Sequence, residues 1–238
     1  ETIFNDGRWQ VRDLRALRVS ARPPRVAAVG RRGAGKSALA NALLGSPLLP
    51  EGPVADTTQM PTGVDLRVGG RVLRWLDTPG LRPGGDIDRT RDVAHALERE
   101  RPDVVLVCVR ATQVDVGVDE DLIEVKALLG RVRTLAGESP PVIGVVTRVD
   151  ELPSSAGTRC PPEGDPARRA AIDAAVTALR GHLARHGLAA RTVLAVGAYQ
   201  RFEGDTRVVD WRSNLPALTI ALHEALPREA QLEAARAL

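Results

Sequence analysis

The eight residues Gly30 to Ser37 read G-R-R-G-A-G-K-S and fit the pattern G-x-x-x-x-G-K-[ST]. Glycines in this pattern let backbone N–H groups curl around a phosphate, while Lys36 would place its ammonium against phosphate oxygens and Ser37 its hydroxyl on Mg²⁺. A strand-like stretch before the segment and a helix-like stretch after it favour this P-loop over a chance glycine-rich turn. The predicted phosphate-binding residues are Gly30, Arg31, Arg32, Gly33, Ala34, Gly35, Lys36, Ser37 and Ala38.

A second motif, Asp77-Thr-Pro-Gly80, follows directly from a stretch that alternates like a strand. At the end of that strand the carboxylate of Asp77 would hold Mg²⁺ through water, and the Gly80 amide would meet the terminal phosphate of a nucleotide. The four residues alone could form an ordinary turn. Their position downstream of the P-loop, with a Thr-Thr pair in between, favours the metal site.

Two further motifs would bind the base of the nucleotide. After an apolar stretch comes Thr147-Arg-Val-Asp150, whose carboxylate could accept hydrogen bonds from both N1–H and N2–H of guanine. Adenine offers no such pair of donors, so Asp150 would select guanine, although a strand end with a helix cap is the alternative. Gly197-Ala198, after the last predicted strand, could donate a backbone N–H to guanine O6 or form a plain tight turn. The predicted base-binding residues are Thr147, Arg148, Asp150, Gly197 and Ala198.

Strand-like and helix-like stretches alternate along the chain and predict an α/β fold. A hairpin around Gly69-Gly70 would add one antiparallel strand to an otherwise parallel sheet of about six strands, with helices on both faces in three layers. In such a sheet the ligand sits at the carboxyl ends of the strands, where every motif above falls. The predicted strands are 25–29, 64–68, 72–76, 103–110, 142–147 and 192–196, and the predicted helices are 38–44, 119–129, 167–185 and 215–226.

The flanking regions differ from this core domain, which is predicted to span residues 25–226. Five arginines between Arg8 and Arg22 recur at helical spacing opposite apolar residues. Residues 1–24 are therefore predicted to form a basic amphipathic helix and extension that Pro23-Pro24 ends. Such a helix would dock on its own domain, on a partner or on an anionic membrane surface. Residues 227–238 are predicted to form a final helix.

Composition narrows the functional classes. The 238 residues carry 33 Lys plus Arg against 30 Asp plus Glu, and the net charge of +3 is too mild to indicate a nucleic-acid partner. Cys108 in a buried strand and Cys160 in a loop show no metal-ligand spacing, so free thiols in a reducing compartment are expected. Because no signal-like start and no apolar run of about 18 residues is present, we expect a cytoplasmic protein.

The motifs and their order resemble those of GTPase domains of the translation-factor-related class, most closely the Era-like group, over residues 25–226. The resemblance implies a P-loop GTPase fold, GTP and GDP as ligands, and Mg²⁺ as cofactor. It also implies that Thr58, with Thr62 as the fallback, coordinates Mg²⁺ and senses the γ-phosphate, alongside the metal ligands Ser37 and Asp77. No segment resembles the carboxyl-terminal RNA-binding domain of Era proteins, which weakens the prediction of a role in ribosome assembly.

Several positions depart from the pattern of these GTPases. Arg148 stands where the guanine motif usually carries a lysine, although an arginine stem and planar head can also stack on a base. Gly197 replaces the usual serine of the last motif. Leu81 follows Gly80 where Ras-like proteins carry the glutamine that orients water, and Gly33 stands where some potassium-activated relatives carry an asparagine. Slow intrinsic turnover without potassium stimulation by that route is therefore expected.

The predicted function is a Mg²⁺-dependent GTPase that acts as a molecular switch, with Lys36, Thr58 and Gly80 as catalytic residues and an unidentified protein effector or activator as partner. Arg32 or Arg31 is hypothesised to be an arginine finger, within the chain or across a nucleotide-dependent homodimer. Guanylate-binding GTPases resemble this chain in carrying a P-loop arginine, although at the fourth position of the loop. Two solvated arginines are the alternative. Two other functions stay open: a nucleotide-dependent interaction module with negligible turnover, and a membrane-associated or self-assembling GTPase resembling the immunity-related or dynamin-like groups.

Overall fold

The structure is a computed structural model, and it describes residues 3–5, 8–10, 22–49, 60–68, 71–81, 87–137, 139–155, 165–204 and 206–227. Several predicted features lie outside these residues, among them the switch threonine Thr58, the thiol of Cys160, and all but the first residue of the helix predicted over 227–238. Among the helices that are described, none combines the length and apolar character needed to cross a membrane.

The described part of the chain contains ten strands, and six of them form one central sheet. The strands are β1 (Ile3–Asn5), β2 (Arg8–Gln10), β3 (Arg25–Val29), β4 (Thr62–Val68), β5 (Arg71–Asp77), β6 (Val104–Arg110), β7 (Val142–Thr147), β8 (Ala190–Val196), β9 (Gln200–Glu203) and β10 (Thr206–Asp210). The central sheet has the order β4-β5-β3-β6-β7-β8. Its β4–β5 pair is antiparallel and its other neighbouring pairs are parallel, which confirms the predicted sheet.

Helices cover both faces of this sheet. They are α1 (Lys36–Leu44), α2 (Ile87–Glu100), α3 (Val118–Ala136), α4 (Pro166–Arg185) and α5 (Leu215–Ala225). Because alternate strand residues face opposite sides, Ala27 and Val105 pack with α2, α3 and α4, whereas Ala28 and Leu106 pack with α1 and α5. Cys108 lies on the α1 side as a free thiol, and burial raises its pKa to about 12. The predicted three-layer α/β fold is confirmed.

The amino-terminal segment begins differently from the prediction. Residues 8–10 form β2, which pairs antiparallel with β1, so the amphipathic helix predicted from Arg8 onward is wrong at its start. Only Asp6 and Gly7 separate the two strands in the sequence, and an Asp-Gly pair between short strands is a hairpin signal. The helical spacing of the arginines favoured a helix over this hairpin in the sequence prediction. The remainder of the predicted helix, residues 11–21, lies outside the described residues.

Two other elements, helix α2 and the hairpin β9–β10, are absent from the sequence prediction. Helix α2 is largely charged, and the face that it buries consists of Val93, Leu97 and two alanines, so no continuous apolar run marks it in the sequence. In β9 and β10 partly buried and exposed residues alternate without a fully buried position. Their one local signal is the pair Gly204-Asp205 between them, which is typical of a tight hairpin turn.

Candidate nucleotide-binding site

The segment Gly30 to Ser37 connects β3 to α1 at the carboxyl end of the sheet. A β-carbon at Gly30 would lie 2.1 Å from the carbonyl oxygen of Cys108 on β6, so a larger residue does not fit. Gly35 has a φ of 76°, a left-handed value that glycine adopts without strain, directly before the helix. The backbone therefore turns as tightly as a phosphate-binding loop requires.

The two chemically important side chains of this loop, Lys36 and Ser37, open helix α1. Lys36 is only 7% exposed, and its Nζ donates to the carbonyl oxygens of Gly30 at 3.1 Å and Arg31 at 3.3 Å. These bonds hold the ammonium across the loop, where a counter-cation for phosphates belongs. The Ser37 hydroxyl points instead to the end of β5, where it donates to Oδ2 of Asp77 at 2.8 Å.

Asp77 and Ser37 together fit a magnesium site. Asp77 is the last residue of β5 and is 1% exposed, so its carboxylate lies beside the start of α1 without bulk solvent. The Thr78 hydroxyl donates to the carbonyl oxygen of Ala28 at 2.7 Å and fixes the turn after β5 on β3. A serine hydroxyl and a carboxylate are the hard oxygen ligands that Mg²⁺ prefers.

The residues after Asp77 pack directly on the P-loop. A β-carbon at Gly80 would lie 2.4 Å from Cα of Arg32, and the Leu81 N–H donates to the carbonyl oxygen of Gly30 at 3.1 Å. The Leu81 side chain is 3% exposed and belongs to the apolar core under α2 and α3. Gly80 thus packs closely against the backbone of the P-loop, while the Leu81 side chain is buried away from solvent.

Thr147 joins the predicted base-binding loop to the P-loop. Its hydroxyl, at the end of β7, donates to the carbonyl oxygen of Ala34 at 2.7 Å and lies 3.2 Å from that of Val109. A β-carbon at Gly35 would lie 3.8 Å from Cγ of Arg148. The aliphatic stem of Arg148 therefore runs beside the P-loop, the position expected of a stem that stacks on a base.

Asp150 lies in the 3₁₀ turn Val149–Glu151 and is 1% exposed. Arg148, just before this turn, has a left-handed φ of 53°, and its Nη1 pairs with Oε1 of Glu151 at 3.0 Å. The ion pair directs the guanidinium head of Arg148 toward Glu151. The buried carboxylate of Asp150 is an acceptor of the kind that the N1–H and N2–H groups of guanine require.

The loop after β8 differs in one detail from the prediction. The N–H of Gly197 donates to the carbonyl oxygen of Ser213 at 3.2 Å, and the Ser213 hydroxyl oxygen also lies 3.2 Å from it. The Gly197 amide therefore faces Ser213 and not a base. Ala198, which is 7% exposed, is left as the candidate donor to guanine O6.

The two P-loop arginines differ in exposure: Arg31 is partly buried and Arg32 is exposed. The Nε of Arg31 donates to Oδ1 of Asp121 at 3.0 Å, and its Nη2 donates to the carbonyl oxygen of Gly117 at 3.1 Å. Burial raises the pKa of Asp121, and the hydrogen bond from Arg31 opposes that shift. The guanidinium of Arg31 is thus held at the start of α3, which does not support it as an arginine finger. Arg32 is exposed, with its backbone beside Gly80.

Sequence reasoning missed a buried asparagine that holds the segment following helix α1. Asn41 in α1 is fully buried, its Nδ2 donates to the carbonyl oxygen of Leu49, and its Oδ1 accepts from the Leu49 N–H, both at 2.7 Å. The pair fixes the chain as it leaves α1. A lone asparagine inside an apolar helix matches no sequence motif, so only the burial identifies it.

Asn41→Ala is expected to destabilise the domain by about 2–3 kcal/mol, because two buried hydrogen bonds are lost and the backbone groups of Leu49 stay buried without them. Urea unfolding followed by circular dichroism measures the change. Thr219→Ala, which removes an exposed hydroxyl bonded within helix α5, is the control and should change stability by less than about 0.5 kcal/mol. Equal midpoints for the two variants would contradict the supporting role of Asn41.

Fold and loops together are those of a P-loop GTPase domain: a mostly parallel sheet carries the loop with Lys36 and Ser37, Asp77 lies beside that loop, and Asp150 is buried in the turn after β7. The family described as 50S ribosome-binding GTPase matches residues 25–147, just over half of the chain. The chain therefore belongs to this family of Era-like GTPases.

Known relatives agree with this membership. GTPase Der of Bradyrhizobium sp. (strain BTAi1 / ATCC BAA-1182) is 42% identical over 97 residues, which are 40% of this chain and 21% of Der. The match thus spans about a fifth of the length of that relative. A variant of Era from Aquifex aeolicus bound to GDP.AlF4- has a TM-score of 0.57 at 20% identity, covering 87% of this chain and 58% of Era. Toc33 from Arabidopsis thaliana with GDP and Mg2+ has a TM-score of 0.56 at 19% identity, covering 85% and 83%.

Proposed function

We propose that this chain binds GTP and GDP and hydrolyses GTP to GDP and phosphate, cycling as a Mg²⁺-dependent molecular switch. The observation that carries the proposal is that the P-loop contacts both the metal-binding and the base-binding loops. Ser37 Oγ lies 2.8 Å from Asp77 Oδ2, and Thr147 Oγ1 lies 2.7 Å from the carbonyl oxygen of Ala34. Family membership and the nucleotides of the Era and Toc33 structures support it.

Each loop would have a separate task in hydrolysis. Lys36 would exchange its contacts with loop carbonyls for β- and γ-phosphate oxygens, and the Gly80 amide would hold the γ-phosphate. Ser37 would bind Mg²⁺ directly and Asp77 through water, with Thr58 joining them in the triphosphate state. When bound, Mg²⁺ neutralises the charge that develops on the phosphate oxygens.

Turnover by the isolated chain should be slow. The side chain of Leu81 lies in the apolar core, so it cannot orient the attacking water. A group supplied by a partner can accelerate such reactions by about 10³ to 10⁵. We therefore propose a protein activator or effector, or a second copy of this chain in a nucleotide-dependent homodimer. A cytoplasmic location and a peripheral membrane contact remain proposals that rest on the sequence.

Multiple-turnover phosphate release tests the enzymatic function. Release of several phosphates per chain in Mg²⁺, and none with EDTA, is the expected result. Tight GTP binding without multiple turnover would favour the nucleotide-dependent interaction module. Liposome sedimentation and nucleotide-dependent elution volume on a sizing column would reveal the membrane-associated or self-assembling alternative, to which no described contact specifically points.

Arg31→Ala and Arg32→Ala form a matched pair for the finger hypothesis. We expect Arg31→Ala to keep turnover within about twofold, because Asp121 and Gly117 already hold that guanidinium. Arg32→Ala should lower turnover at least about tenfold if it supplies charge to the transition state. Phosphate release is measured against protein concentration for both variants and the wild type. A specific activity that does not change with protein concentration, and that is the same in Arg32→Ala as in the wild type, would indicate that another protein supplies the activating group.

A further inference from the structure

The base-binding loop after β8 contains a packing feature that none of the sequence motifs includes. A β-carbon at Gly197 would lie only 2.5 Å from the hydroxyl oxygen of Ser213. The Ser213 hydroxyl therefore fills, from a neighbouring segment, the space that a side chain at position 197 would take. It also lies within hydrogen-bond distance of the Gly197 N–H, at 3.2 Å.

The hairpin β9–β10 returns the chain to this loop and holds Ser213 there. Gly197 and Ser213 exchange two backbone hydrogen bonds, of 3.2 Å and 3.0 Å. Next to them the Trp211 N–H donates to the carbonyl oxygen of Tyr199 at 2.9 Å, and the two rings pack with centroids 5.0 Å apart. Backbone hydrogen bonds therefore hold the loop after β8 and the segment after β10 side by side.

Contacts on the other side of Ser213 fix it to the rest of the domain. Arg212 donates to Asp210 at 2.7 Å and to the carbonyl oxygen of Ala42 in α1 at 3.0 Å. Asn214, the residue before α5, has a left-handed φ of 59°, and its Nδ2 donates to the carbonyl oxygen of Ala195 at 2.8 Å. Ser213 is thus anchored both to the P-loop helix and to strand β8.

We propose that Ser213 is a positioning residue for guanine recognition. Its hydroxyl replaces the side chain that Gly197 lacks, and it restrains the Gly197-Ala198 loop so that the Ala198 N–H faces guanine O6. A glycine at the first position would otherwise leave the loop with excess conformational freedom. This inference rests on the proposed binding of GTP and GDP.

The test compares GDP with two analogues, each changed at one edge of the base. In 6-thio-GDP sulfur, a weak acceptor, replaces O6, whereas IDP lacks the N2 amino group that Asp150 would bind. Titration calorimetry on wild type should show about a tenfold preference for GDP over 6-thio-GDP, the value of one net hydrogen bond. In Ser213→Ala that preference should fall to about twofold, because GDP loses affinity and 6-thio-GDP does not. The ratio of GDP to IDP affinity should stay the same.

Two further variants make the result specific. Thr219→Ala removes a hydroxyl of α5 that is bonded to Leu215, so it should reproduce all wild-type ratios. Gly197→Ala would push a β-carbon against the Ser213 hydroxyl, and it should lose the 6-thio-GDP discrimination as Ser213→Ala does. It keeps the proposal testable if Ser213→Ala does not fold.

Three outcomes would overturn the role of Ser213: equal affinity losses for all three nucleotides, an unchanged GDP preference in Ser213→Ala, or no preference for GDP over 6-thio-GDP in the wild type. The last would also remove Ala198 from the base site. A wild type that binds none of the three nucleotides would instead refute the proposed function itself.

Discussion

Asp150→Asn is expected to move the base preference of this domain from guanine to xanthine. Asp150 is 1% exposed in the turn that follows β7, on the loop that Thr147 bonds to the P-loop. An asparagine there can accept only through its carbonyl oxygen and turns an N–H toward the guanine amino group. Xanthine carries an oxo group at that position, which the amide can donate to and the carboxylate would repel.

The expected loss of GDP affinity is about 100- to 1,000-fold, because a charge-assisted pair of hydrogen bonds is replaced by a donor facing a donor. XDP should bind the variant more tightly than GDP does. Competition against a fluorescent GDP measures both affinities. Asp173→Asn, at an exposed position of α4, makes the same chemical change outside the loops and should leave both affinities unchanged. Unaltered GDP binding by Asp150→Asn, with no gain for XDP, would remove Asp150 from the base site.

The sheet and the P-loop were predictable because their signals are local. Continuous apolar runs such as 104–110 and 142–147 mark strands covered on both faces, and both are buried in the structure. Backbone contacts alone dictate the glycine of the first P-loop position, since a β-carbon at Gly30 would collide with the carbonyl of Cys108. The strand ends then bring the loops together, because parallel strands share one carboxyl edge.

The direction of long polar side chains could not be predicted from the same sequence. Arg31 sits beside the phosphate loop in sequence, yet Asp121 and Gly117, far along the chain, capture its guanidinium. Ser213 lies next to Gly197 only because the short hairpin β9–β10 turns the chain back. Both placements depend on contacts between segments that are far apart in the chain, and no local pattern marks such contacts. A motif therefore indicates which backbone binds the nucleotide but not which distant side chains support it.

Lys36→Ala is expected to weaken GTP and GDP binding about 100-fold or more. Lys36 is only 7% exposed and its ammonium lies against two loop carbonyls, so phosphate oxygens would meet it largely away from bulk water. A hydrogen bond to a charged group contributes up to about 3 kcal/mol, which corresponds to roughly a factor of 100 in affinity. Titration calorimetry with GDP and a non-hydrolysable GTP analogue in Mg²⁺ measures the loss.

The chain supplies an unusual control, because Lys126, exposed on α3, is its only other lysine. Lys126→Ala should bind GTP and GDP as the wild type does, so that any effect of Lys36→Ala cannot follow from net charge. Lys36→Arg keeps the charge, but its planar head does not fit a cradle built for a compact ammonium, and it should restore less than a tenth of the lost affinity. A Lys36→Ala protein that unfolds cooperatively and still binds GTP with wild-type affinity would exclude Gly30 to Ser37 as the phosphate site.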